Sequence, residues 1–303
     1  MAYVGRFAPS PTGPLHLGSL LAALASVLDA AYHDGTWLLR IEDLDPQRCQ
    51  PQFERQLLAQ LAAHGLIASE HDCETSADAT IPPKATRLRQ STRSEIYRQA
   101  LDALKSRGLI FPCDCSRKIL AQQTEACCER DCRRRQPDLM QSALRADFTA
   151  LESYQILDRS LGPMIFDPKR HRDVVVWRRD GIAAYHLAVV VDDAAQGVTD
   201  VVRGSDLASS VPWQTALQRL LGLPTPRYLH LPVLTDADGT KLSKRDHAAP
   251  LADDQAITAI RQALAWLRQP QAPHSLTLWE TIRWAAEHWQ PQRFAGVVSV
   301  AYQ

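Results

Sequence analysis

The sequence predicts an α/β protein built on a doubly wound parallel sheet, with a cysteine-rich segment inserted part-way and a short helical C-terminal region. Three observations predict it. The first third of the chain alternates short apolar runs with amphipathic stretches of helical period, the βαβ pattern of a parallel sheet. A Pro/Gly-rich loop, Pro9-Ser10-Pro11-Thr12-Gly13-Pro14-Leu15-His16-Leu17-Gly18-Ser19, joins the first strand to the first helix. The alternation then breaks between Leu109 and Asp173 and resumes beyond it.

Tyr3 to Ala8 reads as the first strand. Leu17, Leu20, Leu21, Leu24, Leu28 and Ala31 recur at helical spacing, so a helix is expected from about Leu17 to His33. Gly35 marks the turn into Thr36–Ile41, a second buried strand. Glu42-Asp43-Leu44-Asp45 lies just past its end, where open α/β sheets place ligands. Helices are expected over Gln52–Gly65 and Thr92–Arg107. In the second half, Ala183–Val191 reads as a buried strand, Val198–Val202 and His230–Leu234 as two more, and a helix starts near Pro212, a residue favoured in a first turn. Beyond Arg245, Ile257, Ile260, Leu264 and Leu267 mark one amphipathic helix, and Trp279, Ile282 and Ala286 another. The expected division is 1–108 and 174–245 as two halves of one sheet domain, 109–173 as the insertion, and 246–303 as the helical C-terminal region.

Composition narrows the function classes. Of 303 residues, 45% are hydrophobic and 22% charged, as in ordinary globular proteins, which excludes a disordered chain. No apolar run is long enough to span a membrane and no basic-then-apolar leader opens the sequence, so a cytoplasmic chain without a membrane partner is expected. Formal net charge is zero, so a nucleic-acid partner must be held by a local patch. Arg133-Arg134-Arg135 and Lys169-Arg170-His171-Arg172 are the basic runs, with a solvated face as the default reading and phosphate contact as the alternative. Trp37, Trp177 and Trp213 read as core residues. Five of the seven cysteines fall between Cys113 and Cys132, a clustering that reads as metal binding in a reducing compartment. A structural zinc takes four ligands and favours thiolates. Cys113, Cys115, Cys127, Cys128 and Cys132 are the candidates, with buried free thiols the alternative. Such a site would tie down a segment with little apolar material to fold around.

The loop and a second segment carry the chemistry. A helix start presents unpaired N–H groups and a positive dipole end, which suits a phosphate. Gly13 and Gly18 permit close backbone approach, and His16 adds a donor aimed at the same place. Lys241-Leu242-Ser243-Lys244-Arg245 places two lysines and an arginine on a turn after Thr235-Asp236-Ala237-Asp238-Gly239, suited to charge on a leaving pyrophosphate. Either segment alone occurs without a phosphate ligand. Together, across a βαβ pattern, they point to a nucleoside triphosphate.

Arg6-Phe7-Ala8 with the loop through Ser19 resembles the first signature of class I aminoacyl-tRNA synthetases, in its glutamate/glutamine form. Lys241–Arg245 is similar to their second signature, with Leu and Arg in place of the commoner Met and Ser. Leu39–Asp45 and Ala184–Asp193 also resemble the glutamyl enzymes. The likeness covers Tyr3 to Arg245, more loosely in the insertion, and implies a class I synthetase-like Rossmann fold. Residues 246–303 are too few for the usual anticodon-binding helical domains. With the Cys-rich insertion, that makes the chain similar to the truncated branch of the family, which esterifies glutamate onto queuosine, the modified wobble base of tRNA(Asp).

The resemblance implies L-glutamate, ATP with Mg2+, and queuosine-bearing tRNA(Asp) as substrates, through a glutamyl-adenylate. It places ATP against Pro9, Ser10, Thr12, Gly13, His16, Gly18, Ser19 and Lys244, with His16, Lys241 and Lys244 as the catalytic groups. It assigns glutamate to Arg6, Ala8, Ser10, Glu42, Tyr185 and Arg203. An Arg fork suits a carboxylate, and Glu42 is the natural partner of the ammonium group. The branch carries Cys-x-Cys, then a Tyr, then a Cys four positions on. Cys128 stands at the Tyr position, which implies one structural zinc per chain on Cys113, Cys115, Cys128 and Cys132, with Cys127 the runner-up. Two other readings remain: a conventional glutamyl-tRNA synthetase charging a 3′ end, and a small-metabolite nucleotidylyltransferase with a similar His-containing loop.

Overall fold

Seven strands form the main sheet, in the order β3 (Arg87–Arg89), β2 (Thr36–Ile41), β1 (Val4–Phe7), β9 (Asp200–Gly204), β10 (Arg227–Leu231), β6 (Tyr154–Asp158) and β7 (Gly162–Phe166). The computed structural model describes residues 2–67, 87–116, 132–236, 251 and 253–302. Neighbouring strands are parallel except at the β6–β7 hairpin, which makes the far edge antiparallel. From β1 the chain steps to β2 and β3 on one side, and later returns to β9 and β10 on the other. A doubly wound sheet leaves a crevice at such a reversal, over the carboxyl ends of β1 and β9.

Helices cover both faces. On one, α1 (Leu17–Tyr32) packs with α2 (Pro51–Ala63), α7 (Ala256–Trp266) and α8 (Leu278–Glu287). Leu20, Leu24 and Leu28 are fully buried at successive turns of α1, as its leucine spacing predicts; each contributes about 1.5–3 kcal/mol by leaving water. The other face carries α3 (Ser94–Ser106), α5 (Tyr185–Ala195) and α6 (Val211–Leu221), around Tyr97, Leu187, Val190 and Leu217. One buried carboxylate joins distant parts: Asp29 of α1 accepts from the Tyr3 hydroxyl at 2.6 Å, the Trp289 indole at 2.9 Å and the Arg159 guanidinium at 2.6 and 2.9 Å. Burial works to raise its pKa, and Arg159 outweighs burial and holds it below the ordinary carboxylate range.

The segment in which the alternation breaks contributes to two sheets. β4 (Ile110–Cys113) and β5 (Ala143–Asp147) form a three-stranded antiparallel sheet with β8 (Asp173–Trp177), while the β6–β7 hairpin extends the main sheet beside β10. Between β4 and β5 lies α4 (Cys132–Arg135), a single helical turn.

Two expectations need correction. Ala183–Val191 is not a strand: Tyr185 opens helix α5. A short continuous apolar run fits a fully buried helix as well as a buried strand, and here Leu187 to Val191 are buried because α5 packs against α3, α6 and β8. His230–Leu234 is not one strand either. Pro232 has no N–H for the ladder, and the chain leaves the main sheet there. The next strand, β11 (Val233–Thr235), pairs in parallel with β12 (Ser299–Ala301). Among the described residues no helix is long and apolar enough to cross a membrane.

Candidate active site

A cavity of about 400 Å3 opens over the carboxyl ends of β1 and β9, where the sheet topology predicts it. The first strand and its loop line it through Arg6, Ala8, Pro9, Ser10, Thr12, His16, Gly18 and Ser19. Glu42 enters from the end of β2, Tyr185 from the first turn of α5, and Arg203 from the end of β9. Gly13 belongs to the same loop but does not line the wall. Lys241 and Lys244 lie outside the described residues.

The loop is fixed by backbone bonds and one anchor. Glu42 N–H donates to the Pro9 carbonyl at 2.9 Å, Gln50 N–H to Pro11 at 3.3 Å, and Leu15 N–H to the Gln60 side chain at 2.7 Å. Leu15 is buried beneath it. His16 caps α1: its Nδ1 accepts from the Ser19 N–H at 3.2 Å, and its Nε2 lies 3.1 Å from the Ser19 hydroxyl. A Cβ at position 18 would stand 3.3 Å from the His16 ring, so glycine lets the imidazole fold over the helix start. The His16 side chain and a helix N-terminus thus face the same cavity.

Behind the cavity lies a layer of buried charge. Arg6 Nε donates to Asp193 at 3.3 Å. Arg40, fully buried in β2, donates to Asp193 at 2.7 Å, to Gln196 at 2.9 Å and to Glu42 at 3.5 Å. Asp192 accepts from Gln90 at 2.8 Å, Arg93 at 2.7 Å and Tyr97 at 2.7 Å. Two of the three carboxylates beside Arg40 respond in opposite directions. Burial pushes Glu42 upward against the pull of Arg40 and Arg6. At Asp193 burial is outweighed by Arg40 and Arg6, which hold it below the usual range. Asp193 is therefore the settled counter-ion, and Glu42 is the acid that gains most from a new cation in the cavity.

The opposite wall is organised by Arg203. Its Nε donates to His230 Nε2 at 3.2 Å, and its terminal nitrogens donate to the Tyr185 hydroxyl at 3.4 Å, the Leu207 carbonyl at 3.2 Å and Gln214 at 2.9 Å. His230 Nδ1 lies 2.5 Å from Asp158. Burial raises the Tyr185 phenol above its ordinary value, so it stays protonated and able to donate. Two buried guanidinium groups, one under-compensated carboxyl and one phenol suit a small molecule carrying two acids and an amine.

Asp193, Arg40, Asp158, His230 and Gln214 are the site residues that the sequence reading missed. One had a signal: Arg40 is a charge inside the apolar strand Trp-Leu-Leu-Arg-Ile, and buried charges are paired.

Comparison with known proteins identifies the family. The profile of tRNA synthetases class I (E and Q), catalytic domain, matches residues 3–262. A glutamyl-Q tRNA(Asp) synthetase of Burkholderia cenocepacia is 44% identical over 276 residues, spanning 88% of this chain and 88% of that one. One from Pseudomonas syringae pv. tomato is 44% identical over 291 residues, spanning 95% and 93%. The chain belongs to the glutamyl-Q tRNA(Asp) synthetase family of class I synthetases. As a member it is a ligase. The crystal structure of a glutamate–tRNA synthetase from Elizabethkingia anophelis shares the fold, with a TM-score of 0.77 at 21% identity over 100% of this chain and 68% of that one.

This class I synthetase also brings three of the predicted cysteines together. Cys113 at the end of β4, Cys115 and Cys132 at the start of α4 are buried, with sulfurs all within 4.8 Å of one another. The Cys115–Cys132 separation is 3.7 Å. That matches the ~3.8 Å edge of a tetrahedron with metal–sulfur bonds of ~2.3 Å. Arg135 donates to Asp114 at 2.6 Å and to the Cys132 sulfur at 3.3 Å, an outer layer that orients the thiol. Cys127 and Cys128 lie outside the described residues. Arg133, from the neighbouring basic run, pairs with Asp147 at 2.5 Å and Asp173 at 3.2 Å and covers the Phe111 ring at 4.3 Å. Its charge is used inside the fold.

Proposed function

We propose that the chain activates L-glutamate with ATP and transfers it to the queuosine base of tRNA(Asp). The observation that carries this reading is the convergence of Arg6, Glu42, Tyr185 and Arg203 on one cavity beside His16 and the start of α1. Arg6 and Arg203 take the two carboxylates of glutamate, Glu42 takes its ammonium group, and Tyr185 hydrogen-bonds it, with Ala8 and Ser10 closing the near wall. The triphosphate lies along Pro9, Ser10, Thr12, Gly18 and Ser19, with His16 and the helix N-terminus facing its oxygens and Gly13 shaping the loop behind them. Mg2+ travels with the nucleotide, held mainly by phosphate and water.

In the first step the glutamate α-carboxylate attacks the α-phosphorus and pyrophosphate leaves. No protein nucleophile is needed; positioning and charge stabilisation lower the barrier, with Lys241 and Lys244 meeting the pyrophosphate. In the second step a hydroxyl of the queuosine cyclopentenediol attacks the activated carbonyl and AMP leaves. Cys113, Cys115 and Cys132, with Cys128 as fourth ligand, fit a structural zinc: three buried thiols lie within 4.8 Å of one another, and the Cys115–Cys132 pair stands at tetrahedral-edge spacing. The ion would tie β4 to α4 and takes no part in either step.

The test is glutamate-dependent ATP–pyrophosphate exchange without tRNA, followed by glutamate transfer to tRNA(Asp) with and without queuosine. Exchange without tRNA, and transfer only to the modified tRNA, is the expected result. Exchange that needs tRNA would mark a conventional synthetase, and none in either condition would favour a nucleotidylyltransferase.

A further inference from the structure

His230 and Asp158 do not line the cavity, and the His230 ring meets it through Arg203, yet both are wholly enclosed. Relative exposure is 0% for His230, 2% for Asp158 and 5% for Arg203. His230 on β10 stands directly beside Arg203 on β9 in the parallel register, and Asp158 comes from the β6–β7 hairpin on the next strand. Arg203 uses three of its four terminal N–H groups on Tyr185, Leu207 and Gln214 and its Nε–H on the imidazole, which leaves one N–H for a ligand. A guanidinium has only donors, so His230 Nε2 must carry no proton. The ring proton then sits on Nδ1, 2.5 Å from Asp158 Oδ2. Burial, first, and the Arg203 charge hold His230 below its ordinary pKa against the pull of Asp158, which keeps the ring neutral.

We propose that Asp158 and His230 form a positioning relay, in which Asp158 fixes the His230 tautomer and His230 Nε2 sets the direction in which Arg203 presents its remaining N–H to the substrate carboxylate. This rests on the glutamate reading of the cavity. The relay makes a specific demand on Asp158. Its Oδ1 is held as an acceptor by the N–H groups of Ser160 at 2.9 Å and Leu161 at 2.8 Å. In Asp158→Asn the carbonyl oxygen therefore stays at that place and the amide nitrogen replaces Oδ2. Two donors then face each other unless the imidazole proton moves to Nε2, where it points at Arg203. The substitution changes almost no volume and reverses the hydrogen-bond polarity of the relay.

Two measurements test this on the full chain. Nitrogen-15 spectra of the histidine side chains should show His230 as the Nδ1–H tautomer in the wild type and Nε2–H in Asp158→Asn; unchanged tautomers overturn the relay, whatever the activity. In tRNA-independent exchange, Asp158→Asn should raise KM for glutamate about 10- to 100-fold, the loss of a charge-assisted hydrogen bond, and leave KM for ATP unaltered. Equal rises in both KM values, or none, overturn it. His230→Gln keeps an acceptor near the Nε2 position and His230→Asn does not, so Gln should restore glutamate KM and Asn should not; this pair decides the matter if Asp158→Asn is unstable. Absence of exchange in the wild type counts against the glutamate reading alone, because the tautomer measurement still stands.

Discussion

Arg40 and Asp193, 153 residues apart in sequence, meet through a 2.7 Å hydrogen bond behind the cavity and hide almost entirely from water. Asp193 also holds Arg6, so one carboxylate neutralises two buried guanidinium groups. Asp193→Asn leaves both without a full counter-charge. Removing one partner of a buried pair costs about 3–5 kcal/mol, and we expect a loss of that order in urea unfolding. A loss under about 1 kcal/mol would mean that Asp192 and Glu42 suffice as counter-ions.

The depressed carboxylates set the response to acid. Asp29, Asp158 and Asp193 all lie below their ordinary values when folded, with Arg159, His230 and Arg40 overcoming burial in turn. Their stabilisation is complete above the unfolded carboxylate pKa of about 4 and disappears as pH falls through the lower folded values. Glu42 acts in the opposite sense: its raised value favours the folded state as pH drops towards that range. The stability gap between wild type and Asp29→Asn should be largest near neutrality and shrink below about pH 4. A gap that is constant with pH would remove Asp29 from the acid response.

Lys244→Ala should lower the rate of adenylate formation by about 100- to 1,000-fold or more, the scale of losing one charge-stabilising donor, with the melting temperature unchanged. Retained synthesis in a folded variant would take Lys244 out of the mechanism. Lys241→Ala measured beside it divides the work between the two lysines.

Metal analysis of the purified protein should find about one zinc per chain. Stripping it with a strong chelator should lower the melting temperature by several degrees, and Cys132→Ala should lose the metal outright. A metal-free preparation with an unchanged melting curve would leave the cysteines as packed thiols.

Local features were legible in the sequence. The loop from Pro9 to Ser19 and the leucines of α1 identify themselves by type and spacing, and Arg6, Glu42 and Arg203 by their places at strand ends. Arg6, Glu42 and Arg203 all line the one cavity. The apolar run from Ala183 to Val191 was misread because burial on every side erases the period that separates helix from strand. The support behind the site, Arg40 with Asp193 and Asp158 with His230, was invisible because each pair joins distant segments, and sequence spacing carries no record of that contact. The β6–β7 hairpin was hidden for the same reason, since its pairing with β10 spans the return of the chain to the main sheet.

Asp29 finally fixes an order of completion during synthesis. Its partners stand 26, 130 and 260 positions away, at Tyr3, Arg159 and Trp289. On the ribosome the Tyr3 hydroxyl is on hand from the start, the neutralising guanidinium arrives when half the chain is made, and the indole only near its end. Until Arg159 emerges, folding α1 into its place means burying Asp29 either as an uncompensated charge or as a protonated acid. A nascent chain released before Trp289 has been added lacks one of the donors to Asp29 at the centre of its first helix, a mark of incompleteness written into the core.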